Sequence, residues 1–402
     1  MSVVPERILL IHNTYRQPGG EDSVFRAEAR LLLDHGHKVW EYTRSNHELQ
    51  QLSGVRAAME ALWSRRTFNE LTNLLQNAAP DLAHFHNTFA RISPAAYHAC
   101  KRLGIPTVQT LHNYRLTCPA ATHVRNGRVC EDCLGRYFAW PSIIHRCYRG
   151  SAVQSGTVAI MNALHAGIGT WQTAVDFYIA LTPFMRNIML RAGLPADRVV
   201  VKPNFLSNDP GVGTGPGDYA LFVGRLVQEK GIETLLDAWS AEDLPSLKII
   251  GDGPLERKVQ RMIASQSNAR VKALGRLPHS EVLEFMKSAL VLIFPSEWYE
   301  GFPMAILEAM ACGIPVLASK LGSLPEIVEE GKTGLLFTPG NIEELRQNVR
   351  WIMQHPEEIM SMGINGRMKY LETYSAAQNY RQLIDIYRQA IFNNESQRAT
   401  AR

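Results

Sequence analysis

The 402-residue chain has no apolar run approaching the roughly 20 residues that span a bilayer, so no transmembrane helix is expected. The opening MSVVPERILLIHNTY holds an apolar stretch too short for a secretory leader and turns polar at once, and on this ground the chain reads as cytoplasmic. Lys and Arg never interleave with aromatics in clustered runs, which excludes a nucleic-acid binder. The turn Gly251-Asp252-Gly253 is followed by Glu256 where a dinucleotide fingerprint needs its third glycine, and this disfavours a Rossmann-type oxidoreductase. Cysteine is scarce, six in all, yet four of the six fall between Cys118 and Cys147.

What remains is an ordinary globular composition, 46% apolar and 20% charged, in a chain long enough for two cores. Charge is unevenly placed. Residues 1–204 carry 22 Lys and Arg against 14 Asp and Glu, a balance of +8, and residues 205–402 carry 20 against 24, a balance of −4. The basic half also holds 11 of the 13 histidines and suits an anionic lipid surface or a phosphate-bearing acceptor. Between the halves lies SNDPGVGTGPGD, a Gly- and Pro-rich stretch that reads as a linker.

Short apolar runs recur on both sides of that stretch. In the first half they are Arg7–His12, Lys38–Thr43, Asp81–His86, Pro106–Leu111, Phe177–Leu181 and Val199–Lys202. In the second they are Tyr219–Val223, Leu247–Ile250, Val271–Leu274, Ala289–Phe294, Pro315–Ala318 and Leu335–Phe337. Helical stretches fall between most of them. Near-continuous apolar strands alternating with helices mean two parallel, doubly wound α/β domains, whose ligands bind beyond the carboxyl ends of the strands. Two such domains are expected to face one another across a cleft.

The segment FPSEWYEGFPMAILEAMACGIPVLASKLG, Phe294 to Gly322, carries the chemistry. A buried strand ends at Pro295, and a helix starts near Pro303, where a missing N–H costs nothing. A helix start offers free N–H groups and a positive dipole end to an anion, and Glu300 and Glu308 offer acceptors to hydroxyls. Phosphate beside polyol suggests a sugar nucleotide.

This segment resembles the signature of family-4 retaining glycosyltransferases, glycosyl transferases group 1. The likeness runs through Ala309-Met310-Ala311-Cys312-Gly313-Ile314-Pro315-Val316 to Gly322, Glu326 and Gly331. It implies the GT-B fold, two Rossmann-like domains, with an acceptor-side domain over 1–204 and a nucleotide-sugar domain over 205–372. The helical tail 373–402 would pack back on the first domain. By the same resemblance Gly224, Arg225 and Lys230 bind the donor diphosphate, and charge growing on the leaving group is met by preset cations. Gly251 lies near the phosphates or ribose, and Leu274 and Arg276 meet the base. Gly301, Phe302, Met304 and Ala305 line the donor, Glu308 holds the ribose, and Glu300 holds the sugar. In the first domain Gly19 and Gly20 bring backbone N–H groups to the phosphate, and His112 reaches the donor sugar. His84 and His86 alternate along a strand, so at least one is a packed core residue.

No Asp-x-Asp pair occurs, so metal-independent catalysis is expected, with cations and a helix dipole in place of an ion. The implied reaction moves a sugar from a UDP- or GDP-linked donor to a hydroxyl, in surface polysaccharide or lipid-linked oligosaccharide synthesis. A nucleotide-sugar epimerase of the same fold and a non-catalytic sugar-nucleotide module are the rival readings. Two departures stand out. Pro303 replaces a frequent glycine and removes one donor, leaving Met304 and Ala305 to supply N–H groups. Cys118, Cys130, Cys133 and Cys147 have a spacing that suits one tetrahedral structural zinc.

Overall fold

A computed structural model describes residues 4–15, 19–213, 215–265 and 270–400. Its strands are β1 (Arg7–Thr14), β2 (Lys38–Ser45), β3 (Leu82–Asn87), β4 (Thr107–Leu111), β5 (Val124–Arg125), β6 (Arg128–Val129), β7 (Phe177–Ala180) and β8 (Val199–Val201) in the first half. The second half adds β9 (Tyr219–Val223), β10 (Ser246–Ile250), β11 (Val271–Gly275), β12 (Val291–Phe294), β13 (Val316–Ser319) and β14 (Gly334–Phe337). The chain divides into two compact units. One comprises Met1–His123, Cys130–Ser207 and Ala376–Arg402, and the other Val124–Val129 and Asn208–Ser375.

The first unit is built on a six-stranded parallel sheet of order β2-β1-β3-β4-β7-β8. Ile8, Leu9, Leu10 and Ile11 are fully buried, as a central strand covered on both faces must be. The helix Ala376–Thr400 lays Leu383, Ile384, Tyr387 and Ala390 into the core formed by Ile8, Leu10, Phe25, Leu32 and Leu82. Burial at about 25 cal/mol per Å2 of apolar surface holds it there. Two hydrogen bonds, the first buried and the second partly so, fix its register: Tyr387 Oη meets His84 Nδ1 at 2.8 Å, and Tyr380 Oη meets His37 Nε2 at 2.9 Å.

The second unit has its own parallel sheet, of order β11-β10-β9-β12-β13-β14. Sequential order reverses at β9 and β12, the topological switch point where open α/β sheets receive their ligands. Phe222, Ile249, Ile293 and Leu317 join Trp239 and Val349 in its core.

The Gly- and Pro-rich stretch expected to be a linker holds the boundary between the units, at Ser207 and Asn208, and beyond it Gly213 and Gly217 are laid down against the second unit. Gly213 N–H donates to Cys312 O at 2.9 Å. At Gly217 a Cβ would stand 1.9 Å from Ser288 O. Glycine serves close backbone approach there rather than freedom. Asp209 locks the stretch further through a two-pronged pair with Arg367, at 2.6 Å on each prong.

Candidate active site

In the second unit the switch point gathers the segments after β9 and β12. The loop beyond β12 is stapled to the turn beyond β9: Glu297 N–H donates to Glu229 O at 2.8 Å, and Thr234 Oγ1 donates to Glu297 Oε1 at 2.5 Å. This brings Lys230 and Glu300 together, 70 residues apart in sequence, at 2.6 Å. Glu300 is nearly buried, and its Oε1 also accepts from Ser296 Oγ at 2.6 Å and Trp298 Nε1 at 2.5 Å. Ser323 Oγ holds the Glu300 carbonyl at 2.8 Å. The Lys230 ammonium stands 5.1 Å from the Phe294 ring centre and 5.4 Å from that of Trp298, so aromatic faces share its charge.

The helix Met304–Cys312 opens directly after this loop. Pro303 is its cap residue in extended conformation, one position earlier than the first helical residue, so the first free N–H groups belong to Met304 and Ala305. Gly301 is half-buried and Phe302 is buried, its ring 5.5 Å from that of Tyr374. One turn along, burial raises the Glu308 carboxyl to about 7. Its nearest ionisable neighbour is the exposed His279, with Nδ1 3.8 Å from Oε1.

Gly224 and Gly251 extend the carboxyl edge of the sheet. Gly224 N–H donates to Ile250 O at 3.0 Å, and Gly251 N–H donates to Gly275 O at 2.8 Å. Gly251 has φ +143°, and a Cβ there would lie 1.9 Å from Gly224 O, so no other residue fits. Leu274 is half-buried, Arg225 is exposed, and exposed Arg276 stands 3.8 Å from Asp252.

The first unit presents its own constellation. Gly19 caps the helix Gly20–Asp34 and donates its N–H to Asp22 Oδ2 at 2.7 Å. Asp22 Oδ1 in turn accepts from His12 Nε2 at 2.9 Å, which ties the Gly19-Gly20 turn to β1. Glu21 accepts from Asn113 Nδ2 at 2.8 Å, and burial raises its carboxyl above the usual range.

His112 ends a buried relay. Its Nε2 lies 2.9 Å from His86 Nδ1, His86 Nε2 lies 3.3 Å from Glu28 Oε2, and Glu28 Oε1 accepts from Lys202 Nζ at 2.7 Å. Burial alone would raise the Glu28 carboxyl, but Lys202 and then His86 outweigh it and hold it well below the ordinary carboxylate value. Burial also pushes His84, His86 and His112 down, so all three rings are neutral near pH 7.

The protons can then be assigned from the chain of acceptors. Ionised Glu28, 3.3 Å from His86 Nε2 though out of hydrogen-bond geometry, favours the His86 proton on that nitrogen by charge, and His86 Nδ1 would then accept from His112 Nε2. His112 is thereby left with a bare Nδ1, an acceptor for a hydroxyl. His84, with partners Tyr387 and Thr110 at 2.8 Å each, is a packed core residue. His86 is buried as well, but it faces the relay.

Among the described residues one set of three candidate metal ligands falls within 4.8 Å, namely Glu28, His84 and His86. Lys202 already neutralises that carboxylate, so the set is an ion-pair network rather than a metal centre. Cys118 is buried and Cys130, Cys133 and Cys147 are half-buried, none of them in a disulfide, and no three of their sulfurs lie within 4.8 Å of one another, so the structure does not gather the expected zinc ligands. Sequence reasoning missed Ser296, Trp298, Glu21 and the relay. The signal for Glu28 was present, since it stands between Phe25 and Ala29 on the buried stripe of its helix, where a carboxylate requires a partner.

Comparison with known proteins bears on the family and the fold. Residues 18–209 match the family described as Glycosyltransferase Family 4, and residues 214–369 match Glycosyl transferases group 1. A glycosyltransferase of Methanocaldococcus jannaschii without assigned activity is 34% identical over 195 residues, 48% of this chain and 54% of that one. The D-rhamnosyltransferase WbpZ of Pseudomonas aeruginosa is 31% identical over 160 residues, 39% of this chain and 42% of its own. The chain thus spans about half the length of these curated relatives. Among solved structures, Anabaena HepE in complex with UDP superposes with TM-score 0.68 at 18% identity, covering 94% of this chain and 98% of that one. Sucrose-phosphate synthase of Thermosynechococcus elongatus superposes with TM-score 0.70 at 19% identity, covering 95% and 98%. Two six-stranded parallel sheets, the matched halves and these neighbours place the chain in the GT-B fold, and it belongs to the family-4, group 1 glycosyltransferases.

Proposed function

We propose that the protein transfers a glycosyl group from a UDP- or GDP-linked sugar to an acceptor hydroxyl, with retention at the anomeric carbon. The observation that carries this reading is the Lys230–Glu300 pair, held beside the free N–H groups of Met304 and Ala305 at the switch point of the second sheet. In this reading the donor diphosphate lies on that helix start and on Arg225 and Lys230. The bond from the anomeric carbon to the phosphate oxygen breaks, and the negative charge that develops meets preset cations and a dipole. The acceptor oxygen bonds to the same face of the carbon, and its proton passes to the leaving phosphate oxygen. No ion is needed for this charge balance.

Glu308 would accept from the ribose hydroxyls and Glu300 from the sugar. His112 would accept a donor-sugar hydroxyl on the Nδ1 that the relay leaves bare. Gly20 would present its N–H to the phosphate, that of Gly19 being held by Asp22 Oδ2 at 2.7 Å, Gly251 would admit the phosphates or ribose close to backbone, and Leu274 and Arg276 would flank the base. The pocket beside His112, walled by Phe89, Arg115, Met161 and Trp171, is the acceptor side.

A membrane-borne glycan acceptor is supported by the surface of the first unit. Val55, Met59, Trp140, Ile144, Val153, Ile160 and Leu164 are exposed apolar residues on three touching helices, Gly54–Leu62, Trp140–Ile144 and Ala152–Gly167. Exposed Arg56, Arg136, Arg146 and Arg149 stand on or beside the same segments. Exposed apolar side chains with arginines on or beside the same segments suit an anionic lipid surface. No described helix is long and apolar enough to cross a membrane, so the contact would be peripheral. Relatives such as the D-rhamnosyltransferase of Pseudomonas aeruginosa and the O-antigen chain mannosyltransferase B of Escherichia coli support surface polysaccharide or lipid-linked oligosaccharide as the product class.

A thermal-shift panel of UDP, GDP, ADP and their sugars tests the donor assignment. One base is expected to stabilise the fold by mass action, and Glu308→Ala to abolish that response. Failure of every nucleotide to stabilise the protein would refute the proposal.

A further inference from the structure

The pocket beside His112 in the first unit is walled by aromatic, aliphatic and uncharged polar side chains, with one exception. Among the described residues its lining holds Arg115 and no Asp or Glu, and burial keeps its two histidines, His86 and His112, neutral near pH 7. The pocket therefore carries a net positive charge. A charge half withdrawn from water without a partner is costly, so a ligand that supplies the opposite charge is favoured there.

Arg115 is half-buried and held in place before any ligand arrives. Its backbone N–H donates to Asn113 Oδ1 at 3.1 Å, and its carbonyl accepts from Asn162 Nδ2 at 2.7 Å, which ties the segment after β4 to the helix Ala152–Gly167. The guanidinium carbon stands 4.3 Å from the ring centre of Phe89 and 5.1 Å from that of Tyr148, so two aromatic rings support it while its N–H edges remain for acceptors. Nη1 gives one N–H to Pro119 O at 3.0 Å, and the buried Nε has no partner. Among the described residues no carboxylate pairs with it. Glu21 senses the Arg115 charge, but burial outweighs that pull and raises the Glu21 carboxyl, which weakens the negative charge there. Exposed Arg149 stands over the Tyr148 ring as well, at 5.2 Å, so cations gather at this ring instead of cancelling.

We propose that Arg115 binds an oxyanion carried by the acceptor, a phosphate or a carboxylate, and so selects acidic acceptors over neutral ones. This rests on the reading of the His112 pocket as the acceptor side. The planar guanidinium fork matches the edge of a phosphate or carboxylate, and a fork already braced by two rings and two backbone hydrogen bonds loses little freedom on binding. Arg115 determines specificity and takes no part in bond making or breaking.

Arginine labelling by phenylglyoxal, read residue by residue through peptide mass spectrometry, tests this on the full-length wild type. Glucose 1-phosphate, glucuronate and uncharged methyl glucoside are each added with and without saturating UDP or GDP. One or both acids should slow the labelling of Arg115 severalfold, methyl glucoside should not, and exposed Arg257 should react alike throughout. The acid that protects identifies phosphate or carboxylate as the group recognised. Calorimetry of that acid into nucleotide-saturated protein should give an affinity weaker by about tenfold or more in Arg115→Met, with Arg115→Lys intermediate and nucleotide affinity unchanged in both. Protection of Arg115 by neither acid, equal protection by methyl glucoside, or protection by nucleotide alone would overturn the proposal, as would Arg115→Met binding the acid as tightly as the wild type. The labelling needs no variant, so it decides even if Arg115→Met fails to fold. Protection of Arg225 by nucleotide tests the donor reading separately, so a failure at Arg115 leaves that reading standing.

Discussion

Replacing Lys202 by Met removes the ammonium 2.7 Å from Glu28 while keeping the bulk of the side chain. Both partners are essentially without solvent contact, at 1% and 0% exposure, so the carboxylate left behind cannot recover its hydration. Removing one partner of such a pair costs about 3–5 kcal/mol. At 1.4 kcal/mol per tenfold, that is roughly two to three and a half orders of magnitude in the opening equilibrium of the first unit. A two-unit chain does not unfold in one step, so amide hydrogen exchange read peptide by peptide over β1, β3 and β4 is the suitable assay. Exchange there should accelerate by that factor, with β9 and β12 unchanged. The double variant Lys202→Met with Glu28→Gln should recover much of the loss, because no buried charge remains. The single-variant penalty should also shrink below neutral pH, as Glu28 or His86 takes up a proton. Equal exchange in wild type and Lys202→Met, or a double variant costing the sum of the two single changes, would refute the relay as a coupled network.

Acid should weaken the first unit of the wild type. The folded pKa values of His84, His86 and His112 lie below the unfolded value near 6.5, so the unfolded state binds more protons and stability falls as pH drops through that value; exchange over β3 and β4 measured from pH 8 to 5 checks this. Glu308 works in the opposite sense. Its folded pKa of about 7 exceeds the unfolded 4.5, so the ligand-free second unit loses stability as pH rises between those values, while nucleotide affinity should rise as the carboxylate forms. Titration calorimetry at pH 6, 7 and 8 should show that rise in the wild type and its absence in Glu308→Gln. Flotation with vesicles containing anionic lipid should carry the protein upward at low salt, and Trp140→Asp with Ile144→Asp should leave it at the bottom of the gradient.

Much of the fold is legible in the sequence because its central strands are buried on both faces. Each of the twelve expected runs overlaps a strand, with end effects such as Ala289 and Leu290 preceding β12 rather than beginning it, while the two-residue strands β5 and β6 were too short to show a pattern. The Gly- and Pro-rich stretch holds the boundary between the units, but its packing was not legible, since composition reports what a glycine permits and not the Ser288 carbonyl that Gly217 must clear. At the candidate site, local motifs singled out Glu300, Glu308 and Lys230. The Lys230–Glu300 contact depends on β9 and β12 lying side by side, a fact of strand order that no local pattern encodes. The relay lay hidden for the same reason, with Glu28 and Lys202 separated by 174 positions.

The most direct measurement is titration calorimetry of UDP and GDP into the wild type, Lys230→Ala and Arg225→Ala. Loss of a cation that contacts phosphate removes a charge-assisted bond of about 1.5–3 kcal/mol, so affinity for the preferred nucleotide should fall by roughly ten- to a hundredfold. Nucleotide that fails to bind the wild type, or that binds Lys230→Ala and Arg225→Ala as tightly as the wild type, would contradict the account.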